Sequence, residues 1–231
     1  MKYSEWKSFY DQIILDLHLD KEKDETASQI FDQLINSYST HYISDDTLLS
    51  LIQGKNVCVF GAAPTLVEDI FDHKEVFDNT INIAADGATT ALIKYNIIPD
   101  IIVTDLDGVI ADQLRANERQ SILIIHAHGD NISIVQKTLP KIQGPYFGTI
   151  QTNPLSYRNV KNFGGFTDGD RAVFIADHFK ARNIILVGFD CTAKPGFYSF
   201  QTQQNQSRKR KKLEWCQKLL DQFPKEYVKS I

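Results

Sequence analysis

The sequence predicts an α/β protein: a mostly parallel sheet with helices on both faces, joined to a helical N-terminal part. Three observations predict it. From residue 55 onward, short β-branched runs alternate with segments of helical spacing, the pattern of βαβ units. Nearly every run stops at Gly, Asp or His, so polar loops gather at one end of the strands. Before residue 55, apolar residues recur only at helical spacing.

The elements follow in order. Trp6, Phe9, Tyr10, Ile13, Ile14 and Leu17 form one stripe of a first helix. Ala27, Ile30, Phe31, Leu34 and Ile35 repeat it, and Leu48, Leu49, Leu51 and Ile52 mark a third, shorter helix. Such stripes are core contacts, so residues 1–54 are expected to form a helical N-terminal subdomain without chemistry of its own. Strands are expected at 57–60, 80–85, 101–104, 121–125 and 184–187, with weaker candidates at 144–150 and 160–163. Helices are expected at 88–95, 111–119, 132–139 and 170–180. These elements define an α/β domain over 55–206. A C-terminal segment, 207–231, opens on Arg208-Lys209-Arg210-Lys211-Lys212 and continues with Leu213, Trp215, Cys216, Leu219 and Leu220 at helical spacing. The basic run reads as the solvated start of a terminal helix docked on the core, in preference to an anion or nucleic-acid patch.

Composition narrows the function classes. Of 231 residues, 42% are hydrophobic and 23% charged, which excludes a disordered or fibrous chain. Lys and Arg number 25 against 29 Asp and Glu, so the chain lacks the basic field that nucleic-acid binding uses. No apolar run approaches the roughly 18 residues of a membrane span. Residues 1–6 lack the apolar core of a signal peptide. Cys58, Cys191 and Cys216 are widely spaced and form no CxxC pair, which points to a reduced, cytoplasmic setting rather than a disulfide framework or zinc site. A homo-oligomer is left open.

The chemistry is expected at the carboxyl ends of the strands, where open α/β sheets bind ligands. Gly61-Ala62-Ala63-Pro64-Thr65 follows the first strand and leads into a helix. Its small residues suit a phosphate loop as well as a tight structural turn. Asp105 and Asp107 alternate after the third strand, which aims both carboxylates the same way, and Gly108 permits a sharp exit. Asp86, followed by Gly87, and Asp130 end neighbouring runs, so up to four carboxylates converge and would repel one another without a cation. All-oxygen ligands suit Mg²⁺. Helix capping is the alternative role, for Asp130 or Asp86 before Asp107. His126 and His128 flank Ala127 and face one side, fitting phosphate contact or loop structure better than zinc. In the glycine-rich stretch 164–169, Thr167 and Asp168 also read as helix caps.

Taken in order, Gly61-Ala-Ala-Pro-Thr-Leu66, Ala85-Asp-Gly-Ala88, Pro99-Asp-Ile-Ile-Val-Thr-Asp-Leu-Asp-Gly108, His126-Ala-His-Gly-Asp-Asn131, Phe163-Gly-Gly-Phe-Thr-Asp-Gly-Asp-Arg171 and Leu186-Val-Gly-Phe-Asp190 resemble the archaeal-type 6-hydroxymethyl-7,8-dihydropterin pyrophosphokinase family. That family is related in its core to thiamine pyrophosphokinases. The resemblance runs from about residue 55 to about residue 195, and the ordered set is specific where each member alone is weak. Ala63 and Thr65 stand where the family more usually carries Gly and Ser. The resemblance implies a nucleotide-binding catalytic domain that transfers diphosphate from ATP to a hydroxymethylpterin, with Mg²⁺, releasing AMP. It implies Asp105 and Asp107 as Mg²⁺ ligands, completed by Asp86 or Asp130. Gly61, Ala62, Pro64, Thr65, Asp86, Gly87, His126, His128, Asp130 and Asn131 would then surround the nucleotide. Arg171 would meet the transferring phosphate. Asp168 or Asp190 would take the pterin edge, beside Phe166 and Thr167, with Phe163 or Phe189 as further stacking rings.

Val103-Thr-Asp-Leu-Asp-Gly-Val-Ile110 also resembles the nucleophile motif of haloacid-dehalogenase-like phosphatases, with Asp105 as nucleophile and Asp107 as general acid. That motif normally follows the first strand of its domain, whereas two strand–loop units precede it here. A nucleotide-binding or sugar-transfer module of the same fold is a third reading. A dinucleotide enzyme fits least, because the glycine fingerprint is broken.

Overall fold

The computed structural model describes residues 1–194, 196–199 and 206–231. Residues 195 and 200–205, within the span 55–206 assigned to the α/β domain, lie outside the described residues. Eight strands are described: β1 (Asn56–Phe60), β2 (Ile81–Ala85), β3 (Ile101–Thr104), β4 (Ile122–Ala127), β5 (Tyr146–Ile150), β6 (Val160–Lys161), β7 (Asn183–Val187) and β8 (Val228–Ser230). They form one sheet, parallel throughout, in the order β6-β5-β4-β3-β2-β1-β7-β8. The α/β architecture is as expected, and the sheet is wholly parallel.

Side-chain alternation on β1 distributes the core. Val57 and Val59 face one layer, with Leu48 and Ile52 of α3 (Asp45–Ile52), Val173 and Ala176 of α9 (Asp168–His178) and Leu220 of α10 (Gln206–Leu220). Cys58 and Phe60 face the other, with α4 (Leu66–Asp72), α5 (Lys74–Phe77) and α6 (Ala88–Lys94). That second layer continues over β4 and β5 under α7 (Ile110–Glu118) and α8 (Ile132–Thr138). Both faces are covered, which is why the strands read as continuous apolar runs instead of alternating ones.

The N-terminal helices are shared between the two faces. Trp6, Tyr10 and Ile13 of α1 (Tyr3–Leu17) pack on Phe174 of α9 and on Trp215 and Leu219 of α10. Phe31 and Ile35 of α2 (Lys21–Ser37) join the cluster over β4 and β5, on the opposite side from α3. Asp20 caps α2 by accepting from the N–H groups of Glu22 and Lys23 at 3.1 and 3.2 Å.

Five strands, β2 to β6, step outward from β1 in one direction, and the chain then returns to lay β7 and β8 on its other side. The winding therefore reverses between β1 and β7, the position where loops diverge and leave a crevice at the carboxyl edge. Gly61 and Gly188 close that point tightly: a Cβ on Gly61 would lie 2.7 Å from the Gly188 carbonyl oxygen. No helix among the described residues is long and apolar enough to cross a membrane. Cys58, Cys191 and Cys216 are free thiols.

Candidate active site

The acidic loops meet at the carboxyl edge. Among the described residues, Asp86, Asp105 and Asp168 each offer a carboxylate oxygen within 4.8 Å of the others. They come from the ends of β2 and β3 and from the first turn of α9. Asp86 and the neighbouring Leu106 hold left-handed backbone, φ 39° and 68°, a costly state for non-glycine residues. Thr104 pins both: its hydroxyl donates to Asp86 Oδ1 at 2.8 Å and accepts from the Leu106 N–H at 2.8 Å. Asp86 Oδ1 also accepts from Gln113 Nε2 at 2.8 Å and from the Gly108 N–H at 3.2 Å. Neither Asp86 nor Asp130 caps a helix, since Gly87 and Asn131 occupy those positions.

At the start of α9, capping falls to Thr167 and Asp170. Asp170 Oδ1 accepts from the N–H groups of Thr167 and Phe166 at 2.7 and 2.9 Å. Asp168 is thereby left free to join the carboxylates instead of serving as a cap.

Burial and mutual repulsion shape the electrostatics. Loss of solvation, followed by the charge of Asp105, pushes Asp86 and Asp168 above the usual carboxylate range. Asp107 borders the same cavity and is pushed up to about 8 by loss of solvation and by the charges of Asp105 and Asp86. Burial would raise Asp105 too, but the His128 side chain, together with Lys212 and Asp107, outweighs it and holds Asp105 low. His128 Nε2 lies 3.4 Å from Asp105 Oδ2. One carboxylate is thus kept ionised while its neighbours resist ionisation.

A cavity of about 390 Å³ opens on these groups. Gly61, Ala62, Gly87, His126, Phe166, Thr167, Asp190 and Phe189 border it, while Pro64, Thr65, Asn131 and Phe163 are outside its lining. Gly61 and Ala63 spend their N–H groups on the carbonyls of Val187 and Gly188, both at 2.9 Å, so this loop joins β1 to the end of β7. Asn131 braces the site from behind, donating to the carbonyls of Asp105 and His126 at 2.7 Å each. Phe163 belongs to the core, stacked 6.1 Å from Phe147. Asp130 stands apart from the carboxylate cluster, its side chain 67% exposed and 3.9 Å from Arg208. Asp190 is also exposed, and its carboxylate ties its own turn by accepting from the Thr192 N–H and hydroxyl and the Ala193 N–H.

Arg171 is buried and borders the cavity. Its two terminal nitrogens donate to the carbonyls of Gly165 and Phe166, each at 3.0 Å, and Nε lies 4.0 Å from Asp168 Oδ1. The loop it clamps depends on Gly165 at φ 87°, where a Cβ would come within 2.3 Å of Arg171 Cα. The guanidinium positions the Asp168 turn, with one N–H of each terminal nitrogen committed to a backbone carbonyl.

Sequence reasoning missed two walls of the cavity. The α1–α2 turn supplies His18 and Asp20, and the first turn of α2 supplies Lys23 and Asp24. Asp24 is buried and accepts from Tyr10 Oη at 2.6 Å, Gln151 Nε2 at 2.6 Å and the Gly129 N–H at 2.8 Å, coupling the N-terminal helices to the His128 loop. The second wall is α10, whose Arg208, Lys209 and Lys212 border the cavity instead of facing solvent alone. Helical phase held the signal for this wall, because Lys209, Lys212 and Cys216 share one stripe.

An all-parallel sheet with carboxylates converging at its carboxyl edge defines an open-sheet α/β protein, the class that binds ligands at that edge. A family described as 6-hydroxymethylpterin diphosphokinase MptE-like matches residues 31–196. This chain belongs to that family. It is 42% identical over 226 residues to a Pyrococcus furiosus protein named 6-hydroxymethyl-7,8-dihydropterin pyrophosphokinase, covering 96% of this chain and 94% of the relative. Proteins of the same name from Methanocaldococcus jannaschii and Methanothermobacter thermautotrophicus are 43% and 35% identical. Those matches cover 82% and 96% of this chain, and 80% and 94% of the relatives. Among solved structures, the MAf glycosyltransferase of Magnetospirillum magneticum AMB-1 is similar over 68% of this chain and 28% of its own, at 14% identity and a TM-score of 0.37.

Proposed function

We propose that this chain transfers diphosphate from ATP to the hydroxymethyl group of 6-hydroxymethyl-7,8-dihydropterin and releases AMP. The single observation that carries the reading is the convergence of Asp86, Asp105 and Asp168 within 4.8 Å on one cavity, in a member of this family. The donor set fits a hard divalent cation: three carboxylates from three loops, crowded enough that two resist ionisation. Asp86, Asp105 and Asp168 would hold Mg²⁺, which when bound neutralises charge on phosphate oxygens. Asp130, expected among the ligands, has no place in this set.

In the reaction, the substrate hydroxyl oxygen attacks the β-phosphorus and the α–β bridging oxygen leaves with AMP. The protein's part is to position the groups and balance their charge. Asp107, beside the three ligands, takes the hydroxyl proton in its ionised form, which prevails above about pH 8. His128 keeps Asp105 ionised, and Arg171 fixes the turn that carries Asp168. Gly61 to Ala63, Gly87 and the histidine loop form the nucleotide wall, and Phe166 offers a ring for the flat pterin. The free thiols accord with a reduced, cytoplasmic setting.

The test is an AMP assay with ATP, Mg²⁺ and a panel of hydroxymethyl acceptors that includes thiamine. AMP that forms only with the pterin is the expected result. Release of inorganic phosphate from simple phosphomonoesters, without AMP, would transfer the site to the phosphatase reading. No AMP with any acceptor ends the diphosphokinase assignment.

A pH signature accompanies the cation. Asp107 sits at about 8, and Asp86 and Asp168 are also raised, so between the unfolded value near 4 and the folded values the native state holds extra protons. Stability from those protons is complete at low pH and is lost as pH rises toward 8. A divalent cation must displace the same protons, so its grip grows over the same window. The rise in melting temperature on adding Mg²⁺ is expected to be larger at pH 8 than at pH 6. An equal rise at both, or none, counts against carboxylate-held metal.

A further inference from the structure

We infer that the inward face of α10, formed by Arg208, Lys209 and Lys212, is the cationic half of a polyphosphate subsite facing the carboxylates. The inference rests on the diphosphokinase reading and adds residues outside the family's matched span, which ends at residue 196.

Helical phase divides the basic run. Arg208, Lys209 and Lys212 border the cavity together with Cys216, one turn further on. Arg210 and Lys211 turn outward and are already paired. Arg210 is 85% exposed and lies 3.5 Å from Glu214, and Lys211 lies 2.7 Å from Asp16. A run that was solvated all round would show no such division.

The inward cations are not spent on protein carboxylates to the same degree. Among the described residues, neither Lys209 nor Lys212 lies within ion-pair distance of an acid, and Arg208 has only Asp130 at 3.9 Å. Lys209 donates to the Ser199 hydroxyl, and Lys212 Nζ rests 5.9 Å from the Phe166 ring centre. The fields nonetheless reach across the cavity. Lys212 helps to lower Asp105, and Asp107 and Asp86 act back on Lys209, which burial otherwise holds below the usual lysine range.

Charge balance favours such a face, alongside Lys23 and Lys194, which border the same cavity. Asp86, Asp105, Asp107 and Asp168 border the cavity, and one divalent cation cannot offset these acids and a triphosphate together. Arg171 makes up only part of the difference, because each terminal nitrogen already gives one N–H to a backbone carbonyl. Lysines on a helix wall supply movable point charges on long stems, suited to phosphate oxygens.

The probe is α,β-methylene-ATP with Mg²⁺, in which the bond broken in transfer is blocked, titrated by calorimetry. Lys209→Ala and Lys212→Ala are each expected to weaken binding by about ten- to a hundredfold, and Arg210→Ala to leave it unchanged. Lys212→Arg should restore most of the affinity, which a packing role for the aliphatic stem alone would not require. Equal affinity in the inward and outward variants, or equal loss in both, overturns the inference. If the parent protein makes AMP from ATP and the pterin and the inward variants do so with unchanged KM for ATP, this inference fails alone. If the parent binds the analogue and makes no AMP, the diphosphokinase reading fails and the cationic face stands.

Discussion

Asp105→Asn is expected to cut pterin-dependent AMP formation by a factor of order 10²–10³ while leaving the fold intact. Asp105 is the carboxylate that the site keeps ionised, so its replacement removes the ligand present without a metal to draw its proton off. The amide can still accept from the Asp107 N–H, a bond now made by Asp105 Oδ1 at 3.2 Å. The NH₂ group takes the place of Oδ2, 3.4 Å from His128 Nε2, and Asp86 and Asp168 are relieved of the repelling charge of Asp105. The metal-free variant should therefore melt no lower than the parent, and the added stability from Mg²⁺ should shrink. Low activity with an unchanged or higher melting temperature separates loss of a ligand from loss of structure. Near-parental AMP formation would remove Asp105 from the machinery.

Arg171→Met is expected to destabilise the protein by about 3–5 kcal/mol, the cost of removing one partner from a buried charged group. Two effects add. The carbonyls of Gly165 and Phe166 lose their donors, and Asp168 and Asp170 lose the nearby cation that opposes the effect of burial. In a domain of this size the melting temperature should fall by roughly 6–20 °C. An arginine serving only the transferring phosphate would behave otherwise, with an unchanged melting temperature and a raised KM for ATP. That outcome would return Arg171 to the phosphate-contact role that the family resemblance implies.

The site was legible in the sequence where one short segment holds both the strand and its polar end. Asp105 follows Ile101 to Thr104 and Asp86 follows Ile81 to Ala85, so apolar runs broken by acids marked the rim correctly. Asp168 was read as a cap or a pterin contact, because Thr167-Asp168 before a helix matches the local rule for capping. Only with Asp170 occupying the cap does Asp168 become free for the cluster. Asp24 left no trace, since its role depends on Tyr10, Gly129 and Gln151, which lie far apart in the chain. β8 (Val228–Ser230) escaped for another reason: three residues at an edge, only partly buried, produce no apolar run.

The basic run shows the same boundary within one helix. Its phase was readable, with Lys209, Lys212 and Cys216 on a stripe, but which stripe faces the carboxylates depends on where α10 docks. Trp215 and Leu219 settle that by packing against Trp6 and Tyr10 of α1.

By itself the sequence determined the alternation of strands and helices, the acids at the strand ends and the family likeness, because each rests on residues within one turn or one strand of each other. Tertiary structure decided which acids meet, which arginine is spent on backbone and which helices wall the cavity. Those outcomes depend on the strand order, which sets β7 beside β1 across the 122 residues between them, and local spacing carries no information about such distances.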